Sequence, residues 1–150
     1  MAAIEGEIHI DRPPEVVFDV VADERNEPRY NPKMTAVSLL SDSQIGHGSR
    51  FAATMKSRTR TFTMMIEFTD FERPTRLGSV STVGTMRTEG ALTFAPQGSG
   101  TLMSWSWNIR LHGVTKLAAP VVSWMGRRQE RAIWTGLKMM LEATTSNGDE

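Results

Sequence analysis

Residues 115–144, TKLAAPVVSWMGRRQERAIWTGLKMMLEAT, are the longest run in the chain that can form a single helix. Thr115 can cap its N-terminus, and Pro120 is tolerated near the first turn, where amide donors lack intrahelical partners. At 100° per residue, one side is charged, with Arg127, Arg131, Lys138 and Glu142, and Trp124 and Trp134 fall near it. The opposite side carries Ala118, Val122, Met125, Ala132, Ile133, Gly136 and Met140. We therefore expect a long amphipathic helix that buries one face against the rest of the chain.

Two residues on the buried side of this helix are unusual for a filled core. Gly136 lowers helix propensity by about 1 kcal/mol relative to Ala. Gln129 is an amide in an apolar stripe, where an unpaired polar group costs about 1–3 kcal/mol. Either the helix packs closely on the sheet with Gln129 bonded to the backbone, or Gly136 leaves room for a cavity that Gln129 faces.

The chain before the helix is predicted to consist mainly of β-strands. Apolar and polar residues alternate in seven segments, as half-buried strands require. These segments are residues 4–10, 34–41, 50–56, 61–71, 77–83, 86–94 and 101–111. Short loops join the last six, so we expect them to form an antiparallel meander. The glycines at 46 and 48 are interpreted as turn residues, because a strand and not a helix follows them.

The connection between the first two strands is predicted to hold one or two short helices. The segment IDRPPEVVFDVVAD opens a helix with Asp11 as its N-cap. Pro28 and Pro32 then interrupt regular structure and leave Tyr30 on a loop or a single turn.

Charge and composition exclude several functional classes. Lys and Arg (17) balance Asp and Glu (17), so no global field attracts nucleic acid, and we expect no DNA partner. The chain has no Cys and no run of 18 apolar residues. We therefore expect a cytoplasmic protein without stable membrane insertion. Residues 1–145 are predicted to form one domain, and residues 146–150 a frayed tail.

Several local motifs follow one another in an order that resembles a known family. They are IDRPPEVVFDVVAD, YNP, IGHGSRF, TDFERPTRL, PQGSGTLMSWSW and GLKMMLE. Together they resemble the START-like, Bet v 1-type (SRPBCC) superfamily, and within it the bacterial polyketide cyclase/dehydrase and lipid-transport family. The resemblance implies an α+β helix-grip fold, in which a curved antiparallel sheet wraps a long C-terminal helix around a ligand-sized cavity. It implies no particular reaction, because the superfamily mixes binders, transporters, cyclases and docking modules.

The candidate site is the space between the last helix and the sheet. Its predicted walls are Tyr30, Phe51, Met55, Phe62, Met64, Trp105, Trp107, Met125 and Gln129. Tyr30 and Gln129 are weak candidates for orienting or acid/base groups, with Arg128 at the boundary of the face and His47 and His112 as outsiders. The three His lie far apart, so no metal site is expected, and no cofactor is implied.

Three functions remain open at this point. The first is binding of a small apolar molecule, such as a lipid, isoprenoid or polyketide, by apolar walls with few polar groups. The second is a polyketide cyclase or dehydratase that uses the same cavity. The third is a module that docks on a protein or ribosome through Arg127, Arg128 and Arg131. A protein partner or a homodimer is compatible with each.

Overall fold

The computed structural model describes residues 2–111 and 117–148, with side chains for residues 3–111 and 117–143. Two helices, one 3₁₀ helix and seven strands make up this part of the chain. In chain order they are β1 (Ala2–Ile10), α1 (Pro14–Val21), the 3₁₀ helix (Glu24–Arg29), β2 (Met34–Leu39), β3 (Arg50–Lys56), β4 (Thr61–Glu72), β5 (Arg76–Val83), β6 (Met86–Gln97), β7 (Gly100–Arg110) and α2 (Ala119–Gly148).

The strands form one antiparallel sheet in the order β1-β7-β6-β5-β4-β3-β2. Strands β2 to β7 are a meander, and β1 pairs with β7, with Ile4 opposite Trp107 and Ile10 opposite Thr101. Alternation places apolar side chains on the face that the long helix covers. The predicted α+β helix-grip fold is therefore confirmed.

Helix α2 is attached to β1 near both ends of that strand. In the N-terminal part of α2, Gly126 lies against the side chain of Ile4. Near the other end of β1, Lys138 Nζ donates to the carbonyl of His9 (2.8 Å), and the backbone N–H of Asp11 donates to the Glu142 carboxylate (3.0 Å). The prediction that Asp11 caps α1 is wrong, because Pro13 is the N-cap and makes no side-chain cap bond.

The buried face of α2 differs from the predicted face. Met125 is 56% exposed and Ala132 is also exposed, whereas Trp134 is only 6% exposed. Trp134 turns inward because it stacks between the rings of Tyr30 (centroids 6.1 Å apart) and Trp105 (6.3 Å). The predictions that Met125 and Ala132 are buried and that Trp134 is near the wet side are therefore wrong.

The ends of the long helix lie partly outside the described residues. Thr115, the predicted N-cap, belongs to the undescribed residues 112–116, while Pro120 lies in the first turn of α2 as expected. The helical backbone continues to Gly148, three residues into the tail predicted to fray from 146. No helix in the described part combines the length and apolarity needed to cross a membrane.

Gly136 permits close packing and leaves no free space. A Cβ atom at this position would lie 2.6 Å from the carbonyl oxygen of Tyr30, which is far below van der Waals contact. Because the obstacle is backbone, a small rotation of a side chain cannot relieve the clash. The close-packing alternative therefore holds at Gly136.

We predict that Gly136→Ala lowers the free energy of unfolding by about 1–3 kcal/mol through overpacking. A loss of stability would be informative, because in an unconstrained helix the same substitution of Gly by Ala is favourable by about 1 kcal/mol. Urea unfolding followed by Trp fluorescence measures the change. Gly46→Ala is the matched control, because a Cβ there has no heavy atom within 4 Å. A Gly136→Ala protein as stable as the wild type would contradict the close contact.

Candidate ligand cavity

A cavity of about 220 Å³ lies between α2 and the concave face of the sheet. Most of its wall is apolar and comes from all seven strands, α1 and α2. The apolar lining residues are Ile4, Val21, Met34, Met55, Met64, Ile66, Leu77, Met86, Leu92, Trp107, Ile109, Ile133 and Trp134. Four of them are Met, whose unbranched side chains adapt to contents of different shape.

Three carboxyl groups interrupt this apolar wall. Glu24 and Glu27 come from the 3₁₀ helix, and Glu130 comes from α2. The side chain of Asp23 starts the 3₁₀ helix by accepting a bond from the N–H of Arg25 (3.1 Å). The side chain of Asn31, itself buried, donates to Glu27 Oε1 (3.0 Å) and so fixes that carboxyl group at the wall.

Glu130 links the helix to the sheet through two indole groups. Its Oε2 accepts from Trp134 Nε1 (2.7 Å) on the same helix and from Trp107 Nε1 (3.1 Å) on β7. Trp107 and Trp134 both line the cavity, so these bonds hold the aromatic wall in place. Among the described lining residues none is Lys, Arg or His, and Glu130 therefore meets no basic partner there.

The environment raises the affinity of these carboxyl groups for protons. Burial raises the pKa of Glu130 to about 7, while the two indole donors oppose the shift and Glu27 adds to it. Burial also raises the pKa of Glu24 well above its usual value, and the adjacent Glu27 strengthens the effect. Like charges in one apolar site do not all ionise together. Burial and the neighbouring carboxyl groups therefore favour the protonated forms of Glu24 and Glu130.

Tyr30 lies next to this cluster, where the 3₁₀ helix meets α2. Its backbone carbonyl faces Gly136, and its ring packs beside Trp134. Burial raises the pKa of Tyr30 well above its usual value, and the nearby Glu27 and Glu24 add to the shift. Its phenol consequently stays protonated, although Tyr30 is not among the described residues that line the cavity.

Comparison with family models identifies the chain. The model described as polyketide cyclase / dehydrase and lipid transport matches residues 1–142. The chain belongs to this family. The helix-grip arrangement of sheet and helix is thus one that it shares with a group of ligand-binding or polyketide cyclase folds. A search of curated proteins found no match.

Solved structures of proteins from several organisms are similar to this chain over nearly its whole length. A START superfamily protein from Mycobacterium smegmatis has a TM-score of 0.79 at 12% identity, covering 96% of this chain and 99% of its own. An aromatase/cyclase from a Streptomyces species has a TM-score of 0.77 at 14% identity, covering 93% of each chain. A Thermus thermophilus protein has a TM-score of 0.76 at 20% identity, covering 95% and 98%. At these identities the similarity shows the fold.

The predicted site residues divide into two groups. Four of them line the cavity, namely Met55, Met64, Trp107 and Gln129. The other predicted residues lie elsewhere: Tyr30 and Trp105 are buried beside Trp134, Phe51 is buried against Phe68, and Phe62 and Met125 are among the exposed apolar residues.

The sequence interpretation missed Glu24, Glu27 and Glu130. Glu130 stands in the run RRQER, which is typical of a solvated face, and the other two stand in a Pro-containing polar segment. One signal for the inward position of Glu130 was present. Gly126 lies four residues before it, and Ile133 and Leu137 lie three and seven residues after it, which is the spacing of a single helix face.

Neither the histidines nor the carboxyl groups form a metal site in the described part of the chain. No three His, Cys, Asp or Glu side chains come together there as metal ligands. His47 lies exposed in the loop before β3, and His112 lies outside the described residues.

We predict that Glu130→Gln becomes more stable relative to the wild type as pH rises from about 5 to 8. Ionisation of Glu130 with its pKa raised to about 7 destabilises the wild type over that range, by at most about 3 kcal/mol. Gln keeps an oxygen acceptor for the two indoles and removes the charge. Urea unfolding at several pH values measures the difference.

Glu142→Gln is the matched control on the same helix. Lys138 donates a hydrogen bond to Glu142 and lowers the pKa of that carboxyl group, so Glu142 stays ionised over the same pH range. The difference in the free energy of unfolding between Glu142→Gln and the wild type should therefore be constant. Parallel stability curves for Glu130→Gln and the wild type would contradict the raised pKa of Glu130.

Proposed function

We propose that this protein binds a small, mainly apolar molecule in the cavity, with a hydrogen-bond-donating group of that molecule at Glu24, Glu27 and Glu130. The observation that carries the proposal is the combination of a largely apolar wall and a group of carboxyls in one cavity. Such a space matches the general composition of ligand sites, which are apolar with a few placed polar groups.

The size and lining of the cavity favour a compact ligand. A volume of about 220 Å³ is below the range of about 300–1,000 Å³ that is usual for drug-sized ligands. Met34, Met55, Met64 and Met86 lie in the wall and can adjust their rotamers to a larger guest. A one- or two-ring molecule is the best match in size.

The carboxyl groups select the polar end of the ligand. A ligand carboxylate would meet Glu24, Glu27 and Glu130 with no cation among the described lining residues to neutralise it, and an unpaired buried charge is costly. An alcohol, a phenol or an amine can donate to these oxygens instead. Amines gain most, since a charge-assisted bond is roughly twice as strong as a neutral one.

We predict that 2-naphthylmethylamine and 2-naphthalenemethanol bind at least about tenfold more tightly than 2-naphthoate, which carries the same ring system. Isothermal titration calorimetry at neutral pH measures the three affinities. Glu130→Gln should reduce the preference for the amine, whereas Glu142→Gln, outside the cavity, should keep it. Tighter binding of the carboxylate would contradict the proposed polar end.

Two substitutions at neighbouring positions of β5 test whether the ligand binds in the cavity. Ser81 lines the cavity, and Thr82 is the next residue, which points to the opposite face of the sheet and lies across from Met65. Ser81→Leu should fill the space and abolish binding of the naphthyl compounds, whereas Thr82→Leu should bind them normally. Equal affinities in both variants would place the ligand outside the cavity.

A second candidate function is proton transfer to or from a bound ligand. It is supported by Glu130, because a carboxyl group with a pKa of about 7 can act as a general base or a general acid near neutral pH. The similarity in fold to a Streptomyces aromatase/cyclase is compatible with it. In this function the ionised Glu130 carboxylate removes a proton from a carbon beside a ketone and returns it to another position.

We predict that the protein accelerates hydrogen–deuterium exchange at the carbons beside the carbonyl of 2-tetralone in D₂O. The rate should rise with pH through about 7, as Glu130 ionises. Glu130→Gln should lower the accelerated rate by about 10²-fold or more, and Glu142→Gln should leave it unchanged. Proton NMR follows the exchange. Exchange no faster than in buffer alone would reject this candidate and leave the binding function.

A further inference from the structure

One end of the sheet gathers three exposed segments of the chain. Lys56 pairs with Thr61, Val83 with Met86, and Arg87 with Arg110, so the β3–β4 turn, the β5–β6 turn and the end of β7 lie at the same end. The start of α2 lies there too, because Gly126 contacts Ile4 and Ile109 near that end of β1 and β7. We call residues 56–62, 84–88 and 117–129 together the docking rim.

The docking rim exposes large apolar side chains to solvent. Leu117, two residues before α2, is 88% exposed, and Trp124 on α2 is 55% exposed, with exposed Val121 between them in the sequence. The exposed apolar residues of the docking rim are Phe62, Met86, Leu117, Val121, Trp124 and Met125. Exposed apolar side chains that cluster in this way mark an interaction surface.

The docking rim is also basic. Its segments hold six Lys or Arg residues and no Asp or Glu, although the whole chain has equal numbers of each sign. Lys56, Arg58, Arg60, Arg127 and Arg128 form no ion pair with any described residue. Arg128 instead stacks over the ring of Trp124, with 5.6 Å from Cζ to the ring centroid.

The docking rim and the cavity wall share residues. Met86 lines the cavity and is also 37% exposed, so it belongs to both the wall and the outer surface. Gly126 and Gln129, at the inner side of the rim helix, line the same cavity.

We propose that the docking rim binds the surface of an anionic lipid bilayer, with its apolar side chains in the headgroup region and its Lys and Arg side chains on the lipid phosphates. Charge complementarity favours this partner, since five cations that form no ion pair with any described residue are attracted to an anionic lipid surface. Trp beside Arg, with Leu, Val and Met around them, is the composition of interfacial segments that lie on a bilayer without crossing it. The apolar residues protrude from three separate segments, and a fluid surface accommodates such an uneven rim.

Co-sedimentation with vesicles tests the proposal directly. We expect the wild type to bind vesicles of phosphatidylcholine with about 30% phosphatidylglycerol at least about tenfold more strongly than pure phosphatidylcholine, and to lose that preference in high salt. Arg127→Glu and Trp124→Glu should each weaken binding to the anionic vesicles by about tenfold or more. All of these positions are exposed, so circular dichroism should show an unchanged fold.

Matched controls lie away from the docking rim. Arg50→Glu makes the same charge change at the other end of β3, and Met139→Glu places the same charge at an exposed apolar position later in α2. Both should bind vesicles within about twofold of the wild type. Ser81→Leu should also dock normally, because docking does not require an open cavity, and this separates failure of docking from failure of cavity binding.

Three outcomes would overturn the proposal. The first is equal binding of the wild type to neutral and anionic vesicles. The second is an equal loss of vesicle binding in the rim variants and the matched controls. The third is absence of vesicle binding by the wild type. If the wild type is a dimer in gel filtration, ignores vesicles, and becomes a monomer with Trp124→Glu, then a second copy of the chain covers the docking rim instead.

Discussion

A single helix has to cover the concave face of a seven-stranded sheet, and this constraint creates the cavity. Helix α2 lies in close contact with its neighbours at two glycines, where Gly126 meets the side chain of Ile4 and Gly136 meets the carbonyl of Tyr30. Ten residues of helix between them span about 15 Å. Gln129, Glu130 and Ile133, in the stretch between the two contacts, line the cavity. The helix is thus held at two points and spans an open space between them.

The carboxyl groups that line the cavity lower the stability of the fold. A carboxyl group inside an apolar wall loses hydration, and Glu24, Glu27 and Glu130 also repel one another when ionised. Two indole donors compensate Glu130 only in part, because its pKa remains raised to about 7. Groups of this kind are concentrated at functional sites, where a strained or costly arrangement serves binding or proton transfer. A packed apolar interior would be a simpler solution if stability were the sole requirement.

The fold was predictable because each of its elements has a strong local signal. Alternation marks the strands, and the last one, with Trp105 and Ile109 on one face and Ser106 and Asn108 on the other, is unambiguous. Short turns then force antiparallel neighbours. The rotation of α2 was not predictable to the same degree, because its first half is apolar on several sides. The buried side was decided by ring stacking of Trp134 on Tyr30 and Trp105, residues from distant parts of the chain.

The sequence by itself determined the six-stranded meander, the long closing helix and the expectation of an apolar cavity, because periodicity and side-chain size act locally. Only the tertiary structure decided the chemistry of that cavity. Glu24 and Glu27 are brought to Glu130 by packing between the 3₁₀ helix and α2, about a hundred residues apart in the chain. A carboxyl group has the same local signature in water and in an apolar wall. The difference lies in burial and in neighbours such as Trp107, and these exist only once the sheet and helix have closed.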